Sequence, residues 1–191
     1  MKAKPILFLD RDGTILVEND HDCKIKTLDR FHFMPNVIDA LLSINKLERY
    51  YFVMVTNQDG LGRDYYPIEY FQPFQDLMLS ILSSQGIEFY GIHVDSTEKI
   101  ENSPTRKPNT GMLTEYLNNP QKFDIKNSIV IGDRRTDIKL AKNLGCSSIL
   151  IENELHKGYN ATITEDEGKT IVFRNESWKS IQEFVLNRQI N

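Results

Sequence analysis

Short apolar runs alternate with stretches of helical periodicity along the first 151 residues. "PILFLD", "YFVMVTN", "EFYGIHV", "NSIVIGD" and "SSILI" have the length and continuity of buried strands. Between them lie four helical patterns. "NVIDALLSINKLERY" places Val37, Leu41, Leu42 and Ile44 on one face, and "FQDLMLSILSSQG" runs from near Pro73 to a stop at Gly86. "TGMLTEYLNN" and "RTDIKLAKNLG" follow, the latter closed by Gly145. Strands apolar on both faces need cover on both sides, and strand–helix alternation supplies it through right-handed crossovers. The expected fold is therefore α/β: a Rossmann-like three-layer sandwich around a central parallel sheet. The tail breaks the pattern. "ATITEDEGKTIVF" reads as a hairpin, and "SWKSIQEFVL" as a closing helix with Trp178, Ile181 and Val185 inward. Residues 1–191 are expected to form one domain, with 152–191 a C-terminal extension packed on it.

Three strands end at polar residues: Asp10, Thr56 and Asp133. Open parallel sheets bind ligands outside the carboxyl ends of their strands, so these side chains are expected to meet in one crevice. Lys107, in "TRKPNTG", precedes a predicted helix and should reach the same edge. Two acids from separate strands suit Mg²⁺, which prefers hard oxygen ligands. A metal there would offset repulsion between Asp10 and Asp133 and leave an Asp10 oxygen free as a nucleophile. Asp12 lies two residues on, on the same side of an extended backbone, with Gly13 permitting a turn. Away from the metal its pKa can stay higher, so it can serve as general acid. Taken singly, each residue has a plainer reading. Asp10 and Asp12 could cap a strand and a turn, Thr56 could be a strand-end hydroxyl, Lys107 and Arg106 surface charges, and Asp137 a cap of its own helix. The combination favours a site.

Composition excludes several alternatives. Of 191 residues, 23 are Lys or Arg and 27 are Asp or Glu, a net charge of −4 with no basic footprint for nucleic acid or an anionic membrane. Two cysteines, Cys23 and Cys146, make neither a disulfide framework nor a zinc quartet. No apolar run approaches the ~18 residues of a membrane span, and the N-terminus is too short and acidic for a signal peptide. A cytoplasmic location is expected. "NDHDC" at 19–23 is read as a solvated hairpin tip, because adjacent residues seldom converge on one ion. His32, His93 and His156 are scattered and read as structural.

"DRDGT" from Asp10, "VTN" ending at Asn57, "RKP" at 106–108 and "GDRRTD" at 132–137 occur in an order that resembles the four motifs of haloacid dehalogenase-like phosphohydrolases. The flanks "LDRDGTILVE", "VTNQDGLG" and "VIGDRRTDIKLAKNLG" are similar to the histidinol-phosphate phosphatase branch of that family, over residues 5–151. The resemblance implies that Asp10 attacks phosphorus and that Asp12 protonates the leaving alcohol and then activates water. It implies that Thr56 and the Asn57 backbone bind phosphate and that Lys107 neutralises it. Asp10, Asp133 and the backbone carbonyl of Asp12 would hold Mg²⁺, with Asp137 supporting its water shell.

The resemblance also implies a phosphatase for a small phosphorylated metabolite, histidinol phosphate in histidine biosynthesis. Alternatives are heptose bisphosphate or another sugar phosphate, polynucleotide ends (disfavoured by the acidic balance), or a non-catalytic binding module. Some relatives are fused to a dehydratase, so a dehydratase domain is a possible partner. Many carry a zinc loop before "RKP", but here the matching positions are Asp95, Thr97, Ser103 and Thr105. No structural zinc is expected, and hydrogen bonds should hold that loop. The gaps between motifs leave room for a hairpin from 15 to 31 but not for a large cap domain. Specificity should then come from loops around 18–22, 58–66 and 95–106. Glu18 is a candidate partner for a substrate amine, and Asn57, Gln58 and Arg106 are further candidate substrate contacts.

Overall fold

The computed structural model describes residues 2–18 and 23–189. Six strands form one sheet: β1 (Ile6–Leu9), β2 (Tyr51–Asn57), β3 (Gly91–Asp95), β4 (Ile129–Gly132), β5 (Ser147–Ile151) and β6 (Ile171–Asn175). Their order is β3-β2-β1-β4-β5-β6, and every pairing is parallel. The longer helices are α1 (Val37–Asn45), α2 (Gln72–Ser84), α4 (Arg135–Leu144) and α7 (Trp178–Asn187). Shorter ones are α3 (Thr114–Leu117), α5 (Lys157–Asn160) and α6 (Glu165–Gly168).

β1 shows why the sheet needs two covers. Leu7 and Leu9 pack with Leu41, Met78, Trp178 and Val185 from α1, α2 and α7. Ile6 and Phe8, pointing the other way, pack with Leu113, Tyr116, Leu140 and Leu144 from the α3 and α4 side. These are the three layers expected from the alternation of strands and helices. α2 has Pro73 in its first turn and Gly86 beyond its end at φ +78°, and α4 stops at Gly145 with φ +75°.

Three sequence expectations differ from the structure. The third helix is short, with a 3₁₀ turn at Gly111–Leu113 leading into α3. The tail does not make a hairpin. A Thr164–Glu167 capping box starts α6, and β6 then joins β5 in parallel at the sheet edge. The apolar run "IVF" is strand-forming in either arrangement, and parallel entry places its partly buried face over α7. In the 15–31 region the described residues show a single antiparallel bridge, Leu16 to Phe33, and no longer ladder. Four of the five residues of "NDHDC", 19–22, lie outside the described residues.

Candidate active site

The carboxyl ends of β1 and β2 deliver Asp10 and Thr56 to one cleft of about 840 Å³ at the sheet edge, and Asp133, at the end of β4, lies buried beside Asp10. Asp10 follows β1 directly, and its backbone N–H donates to Ile131 at 3.0 Å. The Arg11 N–H donates to an Asp10 carboxylate oxygen at 2.7 Å, and the Arg11 carbonyl accepts from Ile15 and Leu16. This turn needs Gly13: its φ is +73°, and a Cβ there would lie 2.0 Å from Asp133 Oδ2. Glycine thus lets the β1 turn press against the acid at the end of β4.

Lys107 enters from the loop between β3 and α3. Its side chain is buried, 2% exposed, with Nζ 2.8 Å from Asp10 Oδ1 and 2.7 Å from Asp137 Oδ1. A cis Lys107–Pro108 peptide follows it. Asn57 fixes this segment through a reciprocal pair: its Nδ2 donates to the Lys107 carbonyl at 3.1 Å, and its Oδ1 accepts the Lys107 N–H at 3.0 Å. Asp137, on the first turn of α4, also accepts from the Arg134 N–H at 3.1 Å, so it caps its helix and holds Lys107 together.

One carboxylate oxygen from each of Asp10, Asp133 and Asp137 lies within 4.8 Å of the others, all buried. Burial, reinforced by Asp137 and Asp12 and opposed by Lys107, pushes the Asp10 carboxyl up to about 7. Burial first, then Asp10, Asp137 and Glu18, push Asp133 well above the usual carboxylate range. Burial disfavours the Lys107 charge, yet Asp10 and Asp137 outweigh it and hold Lys107 above the ordinary lysine value. Asp133 Oδ1 is buried without a hydrogen-bond partner. An over-negative pocket of hard oxygen donors, one of them orphaned, fits a divalent cation.

Sequence reasoning missed the contribution of residues 153–160. Asn160 Nδ2 donates to the Asp133 carbonyl at 2.7 Å and Asn153 Nδ2 to Asp133 Oδ2 at 3.3 Å. His156 Nε2 lies 3.4 Å from Asp133 Oδ2 and is in hydrogen-bond contact with Glu18. His156, expected to be structural, lines the cleft. No local motif marks these residues, and only chain return from β5 brings them there. Of the other histidines in the described residues, His93 meets the Tyr116 hydroxyl at 2.8 Å, and His32 the Asp29 carbonyl at 2.8 Å.

The candidate substrate residues line the cleft, but their polar atoms serve the protein. Both Glu18 oxygens are taken, one by Arg134 and one by His156, and its side chain is 1% exposed. Burial raises its pKa, yet His156 and Arg134 outweigh that and leave it lowered. Glu18 therefore braces Arg134 and His156, in place of the free carboxylate expected for a substrate amine. Gln58 Nε2 donates to Asp12 Oδ2 at 2.6 Å and Thr56 Oγ1 at 2.9 Å. Arg106 forks onto Asp59 at 2.6 and 2.9 Å and reaches the Thr97 carbonyl at 2.7 Å. Asp95, Thr97, Ser103 and Thr105 do converge. The hydroxyls of Thr97 and Thr105 donate to Asp95, and those of Ser103 and Thr105 are 2.7 Å apart. One carboxylate and three hydroxyls are a poor zinc set but a good hydrogen-bonded clasp for the loop that delivers Lys107.

Comparisons with known proteins bear on the fold and the family. A HAD-hydrolase-like family model matches residues 104–173. The histidine biosynthesis bifunctional protein HisB of Bacteroides fragilis is 45% identical over 152 residues, covering 80% of this chain and 40% of that one. Its counterpart in Spirosoma linguale is 40% identical over 185 residues, covering 94% and 48%. The chain thus spans under half the length of these two relatives. Among solved structures, D,D-heptose 1,7-bisphosphate phosphatase from B. bronchiseptica, complexed with magnesium and phosphate, shares the fold with TM-score 0.78 at 22% identity, covering 95% of this chain and 98% of that one. A putative HAD-like phosphatase from Mesorhizobium loti aligns with TM-score 0.73 at 25% identity, covering 97% and 86%. By matched family model, by relatives and by a fold whose strand ends assemble the four motifs, the chain is similar to the haloacid dehalogenase-like hydrolases.

Proposed function

We propose that this chain hydrolyses a small phosphomonoester through an aspartyl-phosphate on Asp10. One observation carries the reading: the Asp10 carboxylate lies at a strand end 2.8 Å from a buried lysine, within a cluster shared with Asp133 and Asp137. Asp10, Asp133 and the Asp12 backbone carbonyl would hold Mg²⁺. When bound, that ion supplies positive charge to the phosphoryl oxygens. An Asp10 oxygen attacks phosphorus as the ester bond breaks, and Asp12 gives its proton to the departing alcohol oxygen. Asp12 then takes a proton from water, which attacks phosphorus and frees Asp10. Lys107 and Thr56 offset and orient charge on the phosphoryl group.

Histidinol phosphate is the preferred substrate, supported by relatives named for histidine biosynthesis at 40–45% identity. A heptose bisphosphate is the second reading, supported by the solved neighbour of that name, at the level of fold. The bifunctional relatives support a unit working beside a second activity, with a dehydratase as its fused or associated partner. Residues 1–191 are read as one domain, since α7 and β6 complete the core and sheet of the motif-bearing part. Among the described residues no helix is long and apolar enough to cross a membrane, which accords with a cytoplasmic enzyme.

The test is phosphate release from a panel of esters, with and without Mg²⁺, including histidinol phosphate, heptose bisphosphate and 4-nitrophenyl phosphate. Histidinol phosphate should give the highest kcat/KM, and Asp10→Asn should lower every rate by at least about 10³-fold, the scale seen when a nucleophile is removed. Full activity in a clean Asp10→Asn preparation would exclude Asp10 as nucleophile, and a flat panel would exclude the substrate.

A further inference from the structure

Asp12 stands apart from the other acids. Its carboxylate does not join the Asp10, Asp133 and Asp137 cluster. Both oxygens are engaged on another side: Arg11 Nη1 donates to Oδ1 at 2.6 Å, and Gln58 Nε2 donates to Oδ2 at 2.6 Å. Gln58 is itself fixed, because its Oε1 accepts the hydroxyl of buried Tyr66 at 3.0 Å.

Arg11 is an expensive residue to place here. It is 1% exposed, and the Phe71 ring lies 5.0 Å from its guanidinium carbon. Its Nε and Nη2 make no hydrogen bond. Among the described residues, Asp12 is the one carboxylate in an ion pair with it. A buried guanidinium satisfied at a single nitrogen adds little to stability, because desolvation offsets its attraction to the partner. Packing alone would be served better by an apolar side chain, so a role at Asp12 is the stronger account.

We infer that Arg11 and Gln58 are positioning residues that clamp the Asp12 carboxylate away from the three-acid cluster and keep it for proton transfer to the leaving oxygen. The inference rests on the phosphatase reading above. The physical reason is differential. Arg11 and Gln58 both donate, so they stabilise the carboxylate that Asp12 becomes after its proton has gone to the alcohol. An aliphatic alkoxide cannot leave without that proton, whereas 4-nitrophenolate is a stable anion and leaves largely unaided. kcat/KM reports the chain of events up to departure of the alcohol, before water enters, so it isolates this half of the cycle.

The experiment compares kcat/KM for the best aliphatic ester of the panel and for 4-nitrophenyl phosphate in four proteins: wild type, Arg11→Met, Arg11→Lys and Gln58→Met. Circular dichroism establishes that each is folded. The aliphatic-to-aryl ratio should fall about 10–100-fold in both Met variants, a part of the roughly 10²–10⁴-fold that a general acid contributes, because Asp12 itself remains. Arg11→Lys, which keeps the charge, should restore most of the ratio. Equal losses on both esters, or no change of ratio, would overturn the clamp. Should Arg11→Met fail to fold, Gln58→Met leaves the ion pair intact and decides the matter by the same ratio. A wild type inactive on every ester would instead reject the phosphatase reading itself, a separate outcome.

Discussion

At the scale of single residues, the site depends on close approach. Gly13 combines a φ of +73° with the near contact that a Cβ would make with Asp133 Oδ2. Gly13→Ala would carry strain of about 1–3 kcal/mol at that backbone position and would displace the Asp133 carboxylate. We expect tenfold or weaker Mg²⁺ binding by calorimetry, with a lower urea midpoint; unchanged Mg²⁺ binding would refute the packing of this turn against Asp133. The sequence showed Gly13 as a turn residue, because Gly after two acids is a local signal. It did not show Asp133 as the atom that demands it, since that contact spans 120 residues. Glu18 illustrates the reverse error. An acid near the motif looked available to a ligand, but Arg134 and His156, each more than 100 residues away, already occupy it.

At the scale of elements, helix ends tie the acids in place. Asp137 caps α4 and holds Lys107. Behind it, Arg135 Nε and Nη2 donate to Glu167 of α6 at 2.8 and 3.0 Å, and the Thr164 N–H donates to the same carboxylate at 2.9 Å. The Arg135 hydrogen bond above all lowers the Glu167 carboxyl from 4.5 to about 2. A depressed acid stabilises the fold fully above its unfolded value of 4.5 and loses that contribution as pH falls through 2. Glu167→Gln should therefore cost about 1–3 kcal/mol at pH 7, the range for a hydrogen bond to a charged group. Urea unfolding at pH 7 and pH 3 tests this: the gap between wild type and variant should narrow at the lower pH. A gap that stays constant would show that the carboxylate charge is not the source. Helices α2, α4 and α7 were legible because their apolar periodicity and stop signals are local. The tail hairpin was misread because "TITEDEG" carries turn-forming residues that a capping box uses equally well.

At the scale of the whole molecule, the C-terminal region is bolted to the first motif. Trp178 of α7 is buried, and its Nε1 donates to the Thr14 carbonyl at 2.7 Å, across 164 positions. Trp178→Phe keeps most of the apolar volume but leaves that carbonyl unpaired, at about 1–3 kcal/mol. Trp178→Ala adds a cavity and should reach about 3–5 kcal/mol. Denaturant unfolding of both variants checks the order; equal losses would mean that the buried ring adds nothing beyond the hydrogen bond, and a Trp178→Phe variant as stable as wild type would mean that the hydrogen bond contributes nothing. By itself the sequence determined the alternating α/β architecture, the acids and threonine at strand ends, and the lysine beside them. Hydrophobic period and motif order are carried by neighbours along the chain, so they can be read without coordinates. Only the tertiary structure decided who holds those groups: Asn57 at Lys107, Arg11 and Gln58 at Asp12, and Asn153, His156 and Asn160 at Asp133. Those partnerships form between segments that meet only after folding, because burying a charged group forces it to find whichever donor the packed chain brings within reach.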